Sequence, residues 1–321
     1  MSYESTVIIT GGTTGLGYEC ARTIAKQKPE SRIIIAARSA GNEAVANINK
    51  ETGLTNVQYS RLDLSDLTNV RSFADKITTG DFEPISALVL NAGIQISGDI
   101  TFTKQEIETT FGVNHVGHAL LLLLLMPKLE SNARIVITSS GTHDLKQKSG
   151  LPDAIYKRAQ LLAHPNEEST KYVGQQRYAT SKLCNVLWTY AMERRRAADP
   201  AKHSWTINAM DPGLMPGTGL ARDYGAVLWF IWRQILPRML PILRLLLFSN
   251  IHTTGESGRN LARLAISADV QGVSGKYFKG EHPIASSDDS YDTVKQDELW
   301  SWTLEYLSRD AAKKQKLESL V

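Results

Sequence analysis

Near its start the chain reads Ser5-Thr6-Val7-Ile8-Ile9-Thr10 and then Gly11-Gly12-Thr13-Thr14-Gly15-Leu16-Gly17. The first six residues are apolar and β-branched enough for a short buried strand. After Gly17 a helical pattern runs to about Gln27. A glycine-rich turn between a strand and a helix has a physical meaning. Glycines let the backbone approach a pyrophosphate, and the helix N-terminus supplies free N–H groups and the positive end of a dipole. The spacing is Gly-x-x-x-Gly-x-Gly from Gly11, not the commoner Gly-x-Gly-x-x-Gly, so the strand–turn–helix context carries the reading.

Working outward, the second strand is Arg32-Ile33-Ile34-Ile35-Ala36-Ala37, followed by Arg38-Ser39. NAD-binding folds place an acidic residue near this point for the ribose 2′-hydroxyl, whereas an arginine accommodates a 2′-phosphate. Ala37 stands where the acid is expected and Arg38 follows, which favours NADP over NAD. A helix over roughly 40–52 leads to a strand from Val57 to Leu62, ending in Asp63-Leu64-Ser65. A helix over roughly 67–79 leads to a strand from Ile85 to Leu90, ending in Asn91-Ala92-Gly93. This alternation predicts a parallel sheet with helices on both faces and ligands at the carboxyl ends of its strands, where Arg38, Asp63 and Asn91 stand.

From Thr103 a helical pattern runs through Ile107, Phe111, Val113, the run Asn114-His115-Val116-Gly117-His118 and a leucine stretch to Leu129. It reads as a buried helix or a subunit contact. Asn114 competes with helical hydrogen bonding and marks a break. His115 and His118 are three apart, but no third ligand stands nearby and no metal is expected. The strand Ala133–Thr138 ends in Ser139-Ser140-Gly141. Residues 142–176 are mixed and polar, an excursion with one or two helical turns around 153–163. A helix then opens on Arg177-Tyr178-Ala179-Thr180-Ser181-Lys182. Tyr178 and Lys182, four apart, share one helix face. A free phenol titrates near ~10, and a neighbouring cation lowers that value towards the range useful for acid–base work. Taken alone, the pair is equally a half-buried tyrosine beside a solvated lysine.

Bulk properties narrow the classes. The 321 residues fit a single α/β domain, and a net charge of +3 with 21% charged residues gives no strong field for a nucleic-acid partner. Cys20 and Cys184 lie in apolar helical patterns, which argues against a disulfide framework and for a reducing, cytoplasmic compartment. Val7-Ile8-Ile9 is too short for a signal peptide, and no uncharged apolar run of about eighteen residues suggests a membrane span.

Thr10-Gly11-x-x-x-Gly15-x-Gly17, Asp63-Leu64, Asn91-Ala92-Gly93, Asn114, Ser140, Tyr178-x-x-x-Lys182 and Asp211-Pro212-Gly213 follow one another in this order. Together they resemble the short-chain dehydrogenase/reductase family, over about residues 5–280. Asn114-His115-x-Gly117-His118 and Thr218-Gly219-Leu220 resemble the branch that includes retinol dehydrogenases and light-dependent protochlorophyllide reductases. The resemblance implies a single-domain Rossmann-like doubly wound sheet of about seven strands, binding NADP(H). It implies that the turn with Gly11, Thr13, Thr14, Gly15, Leu16 and Gly17 holds the pyrophosphate and Arg38 the 2′-phosphate. Asp63 and Leu64 would meet the adenine, Asn91, Ala92 and Gly93 the adenosine ribose, and Pro212 and Gly213 the nicotinamide. Asn114, Ser140, Tyr178 and Lys182 would form the catalytic set, with Asn114 holding a water and Lys182 lowering the Tyr178 pKa and binding the ribose. The chain departs from the family twice. Ser140 and Tyr178 are 38 positions apart, which makes 142–176 an insertion. Gly217 also stands at the family's threonine position, with Thr218 one later, so the carboxamide contact of Thr218 is less secure.

After the strand Trp205–Met210 comes an apolar segment, 226–248, interrupted by Pro237, Pro241, Arg233, Arg238 and Arg244. It reads as the body of a substrate lid over 214–250, with membrane-surface contact as a compatible second role. An apolar lid implies a bulky hydrophobic substrate. A helix near 254–268, a short strand Gly275–Phe278 and a C-terminal helix over 292–320 complete the chain, the last carrying Trp300 and Trp302 for the core or the pocket. The expected activity is NADPH-dependent reduction of a ketone or aldehyde, or the reverse on an alcohol. Carbon–carbon double-bond reduction, a non-catalytic nucleotide-binding role and a membrane-surface scaffold are the rivals. Homodimer formation is open.

Overall fold

The computed structural model describes residues 3–199, 204–218, 225, 229–240 and 250–308, together with 315 and 317. Eight strands form one sheet in the order β3-β2-β1-β4-β5-β6-β7-β8. They are β1 (Ser5–Thr10), β2 (Ser31–Ala37), β3 (Val57–Arg61), β4 (Ile85–Leu90), β5 (Leu129–Thr138), β6 (Thr206–Asp211), β7 (Tyr277–Lys279) and β8 (His282–Ile284). All neighbours are parallel except β7 and β8. Strand order reverses between β1 and β4, so a crevice opens there at the carboxyl ends.

Among the described residues, seven of the longer helices flank the sheet: α1 (Gly15–Gln27), α2 (Gly41–Thr52), α3 (Leu67–Thr79), α4 (Thr109–Lys128), α5 (Gly174–Ala198), α6 (Thr254–Ile266) and α7 (Thr293–Ser308). The strands are apolar on both faces because both are covered. Val7, Ile9, Ile33 and Ile35 pack with α1 and α6 on one side. Ile8, Ile34 and Leu88 pack with α3, α4, α5 and α7 on the other. Cys20 and Cys184 are free, buried thiols within this packing.

The structure corrects several boundaries. There are eight strands rather than seven, because β8 turns back from β7 through Gly280, whose φ of 60° suits glycine. Such three-residue strands carry no readable alternation. Helix α4 begins at Thr109, not Thr103. The preceding residues close a turn in which the Thr103 N–H donates to the Ile107 carbonyl at 2.8 Å, and the Glu108 carboxylate caps the Phe111 N–H at 2.8 Å. The break at Asn114 is real and takes the form of a π-helical stretch, Gly112–Val116. Helix α4 is long and apolar enough to cross a membrane by length and composition, yet 89% of its most apolar 18-residue window is buried inside the protein. That makes it a core helix. The helical turn in the excursion is confined to Ala159–Ala163. Trp300 stacks on Trp188 at 4.8 Å and Trp302 on Tyr306 at 5.1 Å, so these aromatics serve packing. The lid expected over 214–250 falls partly outside the described residues, at 219–224, 226–228 and 241–249, as does the C-terminal helix at 309–314, 316 and 318–320.

Candidate active site

A cavity of about 650 Å³ opens at the switch point. It is lined by Gly11, Thr13, Thr14, Gly15, Leu16 and Gly17 after β1, by Arg38 after β2, and by Asp63 and Leu64 after β3. Asn91, Ala92 and Gly93 after β4, Ser140 after β5, Tyr178 and Lys182 on α5, and Pro212, Gly213 and Thr218 after β6 complete the set read from the sequence. Asn114 is the exception. It is fully buried and does not line the cavity.

The turn is built for close approach. A Cβ on Gly17 would lie 2.3 Å from the Gly11 carbonyl oxygen and 2.6 Å from Asn91 Nδ2. Gly11 and Gly15 hold φ of 69° and 56°, in the region that favours glycine. The Thr14 side chain does not cap α1, and no acidic residue stands in its first turn. The helix therefore offers open N–H groups and an unopposed positive dipole end to an anion. The end of β2 carries no acid, and the exposed Arg38 guanidinium reaches the same cavity. These residues fit a dinucleotide with a 2′-phosphate.

At the other end, the Ser140 and Tyr178 side chains lie together at the cavity wall, close enough for Ser140 to act on the phenol. Tyr178 is only 6% exposed. Burial pushes its phenol up, the Asp211 carboxylate adds to this, and the Ser140 side chain works against it. Burial also pulls the Lys182 amine down to about 8, with Asp211 opposing. Burial is thus the largest influence on both groups. The Lys182 Nζ lies 5.4 Å from the phenol ring centre and donates to the Thr138 carbonyl at 3.1 Å.

The Asn114 side chain is bonded within the protein. Its Oδ1 accepts from the Ile94 N–H at 2.8 Å, and its Nδ2 donates to the Ile94 carbonyl at 2.9 Å and to Ser181 Oγ at 3.0 Å. His118 Nδ1 meets the Asn114 backbone carbonyl at 3.3 Å. The carbonyl can only accept, so Nδ1 carries the proton and Nε2 accepts from Thr10 Oγ1 at 2.9 Å. Thr10 Oγ1 in turn accepts from the Asn91 and Ala92 N–H groups. Asn114 thus clamps the strand end to α5, and His118 ties both to β1. His115 reaches Thr303 Oγ1 at 3.0 Å. The two histidines share no ligand, and among the described residues no metal-binding group exists. Thr218 lies near the glycine turn, 3.9 Å from where a Gly15 Cβ would stand, and its hydroxyl donates to the Met215 carbonyl at 3.0 Å.

Sequence reasoning missed four contributors. Asp211 is buried and perturbs both Tyr178 and Lys182; a buried acid beside a reactive phenol was legible in Asp211-Pro212-Gly213 only as part of a turn. Gln147, Trp232 and Lys279 also line the cavity, from segments far apart in sequence. Only the fold brings these together.

In class, a doubly wound sheet with this cleft and a hydroxyl–amine cluster at its end is a Rossmann-like oxidoreductase. The short chain dehydrogenase family model matches residues 5–151, and the AcuH dehydrogenase domain model matches 221–315. The chloroplastic short-chain dehydrogenase TIC 32 B of Brassica napus is 30% identical over 93% of this chain and 87% of its own. Retinol dehydrogenase 12 of Mus musculus is 28% identical over 94% and 85%. A short chain dehydrogenase from Burkholderia cenocepacia, solved in complex with NADP, superposes with a TM-score of 0.60 at 20% identity, covering 86% of this chain and 96% of that one. The chain belongs to the short-chain dehydrogenase family, and it resembles the retinol dehydrogenases within it.

Proposed function

We propose that the protein is an NADPH-dependent reductase of ketones or aldehydes on a bulky hydrophobic substrate. The observation that carries this reading is the Ser140–Tyr178 hydroxyl pair at the end of a cleft that begins with the glycine turn. Bound there, NADPH would supply a hydride to the carbonyl carbon. The turn from Gly11 to Gly17 would hold the pyrophosphate and Arg38 the 2′-phosphate, a preference in keeping with the NADP complex of the Burkholderia relative. Ser140 hydrogen-bonds the carbonyl oxygen. Tyr178 gives that oxygen its proton, which balances the hydride and leaves an alcohol. Lys182 sits behind the phenol and, in its cationic form, steadies the tyrosinate that results. Asn114 positions Ser181 on the helix of both residues. Leu151, Leu214, Met215 and Trp232 give the cavity its apolar walls, and a relative named for retinol accords with such walls.

The test is Tyr178→Phe, which should lower kcat for NADPH oxidation against hydrophobic carbonyls by about 10²–10⁴-fold while NADPH binding persists. Retained turnover would remove the assignment. A second role has its own support. Phe230 (59% exposed), Ile235 (40%) and Met239 (38%) turn outward beside Arg233 and Arg238, a composition suited to resting on an anionic membrane. Sedimentation with anionic liposomes, compared against Phe230→Glu, tests it.

A further inference from the structure

The cavity continues past Tyr178. Beyond Ser140 it is lined by Gln147 and Ser149, from the segment between β5 and α5, and by Lys279 at the end of β7. Lys279 pairs with Asp211 in the β6–β7 register. It therefore stands on the far side of β5 from Arg38 and Asp63, which follow β2 and β3. The adenosine half of the cofactor reading uses that other side and its nicotinamide end reaches Pro212 and Gly213 after β6, so Lys279, one strand further out, borders the space left for substrate.

The Lys279 Nζ donates to Gln147 Oε1 at 2.9 Å. Among the described residues no carboxylate lies within ion-pair distance of it. The neighbouring Asp211 is engaged elsewhere. Its Oδ1 accepts from the Gly213 N–H at 3.0 Å and its Oδ2 from Asn250 Nδ2 at 2.8 Å. An ammonium carries three donors. One goes to a neutral amide, which leaves two donors and a full charge at the cavity wall. Gln147 is itself held in place. Its Nε2 donates to Asp144 Oδ2 at 3.4 Å, and its Cβ lies 3.6 Å from where a Cβ on Gly141 would stand. The amide thus brings the cation beside the backbone that follows Ser140.

We propose that Lys279, oriented by Gln147, is a specificity-determining residue that binds a carboxylate on the substrate. The proposal rests on the carbonyl-reductase reading. The substrate is then amphipathic, with its carbonyl at Ser140 and Tyr178, an apolar body against Leu214 and Trp232, and an anionic end at Lys279. Water is the competing partner for a half-buried lysine at a cavity wall, and the experiment separates the two.

Two probes are compared on the purified full chain: 4-phenylbutan-2-one and its para-carboxylate. One readout is the ratio of kcat/KM for the pair with NADPH. The other is the ratio of their dissociation constants from the NADP-loaded protein, read by tryptophan fluorescence. A charge-assisted hydrogen bond predicts that both ratios favour the carboxylate by about tenfold. Lys279→Met should bring the ratios close to one, Lys279→Arg should largely retain them, and Gln147→Leu should lower them. Retained NADPH binding verifies that each variant folds, and Lys279→Gln replaces any that does not. Ratios near one in the unsubstituted protein, or a preference that survives Lys279→Met, overturn the proposal. If neither probe is reduced yet carboxylate-selective binding disappears in Lys279→Met, the Lys279 site stands and the carbonyl-reductase reading falls.

Discussion

Lowering the pH from about 8 to about 5 should remove about 4 kcal/mol of folding stability through two histidines of α4. Burial draws His115 from 6.5 down to about 3 and His118 from 6.5 down to about 4. Both stay neutral in the folded protein across this range, while in the unfolded chain each titrates at the ordinary value. Below that value the unfolded state binds protons that the folded state refuses, so stability falls as pH falls. The loss begins near pH 6.5 and is complete near pH 4 for His118 and near pH 3 for His115. At pH 5 each has lost about 1.5 pH units of linkage, about 2 kcal/mol apiece. The sum is a large part of the roughly 5–15 kcal/mol that holds a domain together. His143, also lowered by burial, acts in the same direction. Glu108, raised by burial, acts in the opposite one. Glu83, held at about 2 chiefly by its hydrogen bond from Arg32, loses its contribution only below 4.5 and stays outside the window. The assay is urea unfolding of the cofactor-free protein at both pH values, repeated on His115→Phe. Phenylalanine keeps a ring between Phe111 and Trp188, whose centres lie 5.2 and 5.3 Å from that of His115. It strands the Thr303 hydroxyl and so costs about 1 kcal/mol at either pH, yet the difference between the two pH values should shrink by about 2 kcal/mol. A difference below about 1 kcal/mol in the unsubstituted protein, or one undiminished in His115→Phe, would refute the reasoning.

Arg38→Asp should weaken NADPH binding by about tenfold or more and narrow the gap to NADH, as read by titrating both cofactors; an unaltered NADPH-to-NADH ratio would remove Arg38 from the 2′-phosphate site. Gly17→Ala should lower NADPH affinity by more than about tenfold, because its Cβ would collide with the Gly11 carbonyl. Gly98→Ala, with open space around its Cβ, is the control and should bind normally. Arg177→Met should destabilise the fold by about 3–5 kcal/mol. It leaves the buried Glu108 carboxylate, 3.4 Å from the Arg177 guanidinium, without its cation, and it removes bonds to the Tyr172 and Gly98 carbonyls. Thermal melts should show part of that loss restored when Glu108→Gln is added.

The frame was legible because its signals are local. A strand, a glycine turn and a helix need only adjacent residues, and the strands of a sheet covered on both faces announce themselves as unbroken apolar runs such as Ile33-Ile34-Ile35. The cavity-lining residues, Asn114 apart, were legible because most end a strand or open a helix, and a doubly wound sheet sends those ends to one crevice. What escaped depends on distant partners. That Asn114 clamps Ile94 and Ser181 follows from the approach of α4, β4 and α5, which no spacing encodes. The phenol's upward shift follows from burial and from Asp211, neither visible in Tyr-x-x-x-Lys. The three-residue strand β8 offers too few positions for a period of two to be seen, whereas β7 was expected two residues early, at Gly275–Phe278. Lys279 joins the cavity only because β7 lies beside β6.

The direction in which burial moves Tyr178 and Lys182 bears on how the proposed reduction and its reverse would depend on pH. A phenol held above its ordinary value keeps its proton at neutral pH. An amine held at about 8 still keeps most of its charge there. Both groups therefore carry protons before a substrate enters. Reduction needs that arrangement, since the carbonyl oxygen must receive a proton as its carbon receives a hydride. Oxidation of an alcohol needs the reverse, a tyrosinate ready to accept, and the desolvation that raises the phenol opposes its formation. The Asp211 carboxylate reinforces the bias by repelling a tyrosinate while favouring the lysine cation. Asp211→Asn should therefore make the phenolate easier to form. The limb of the oxidation profile that reports phenol ionisation should then move to lower pH. A limb that stayed in place would show that desolvation alone sets the tyrosine.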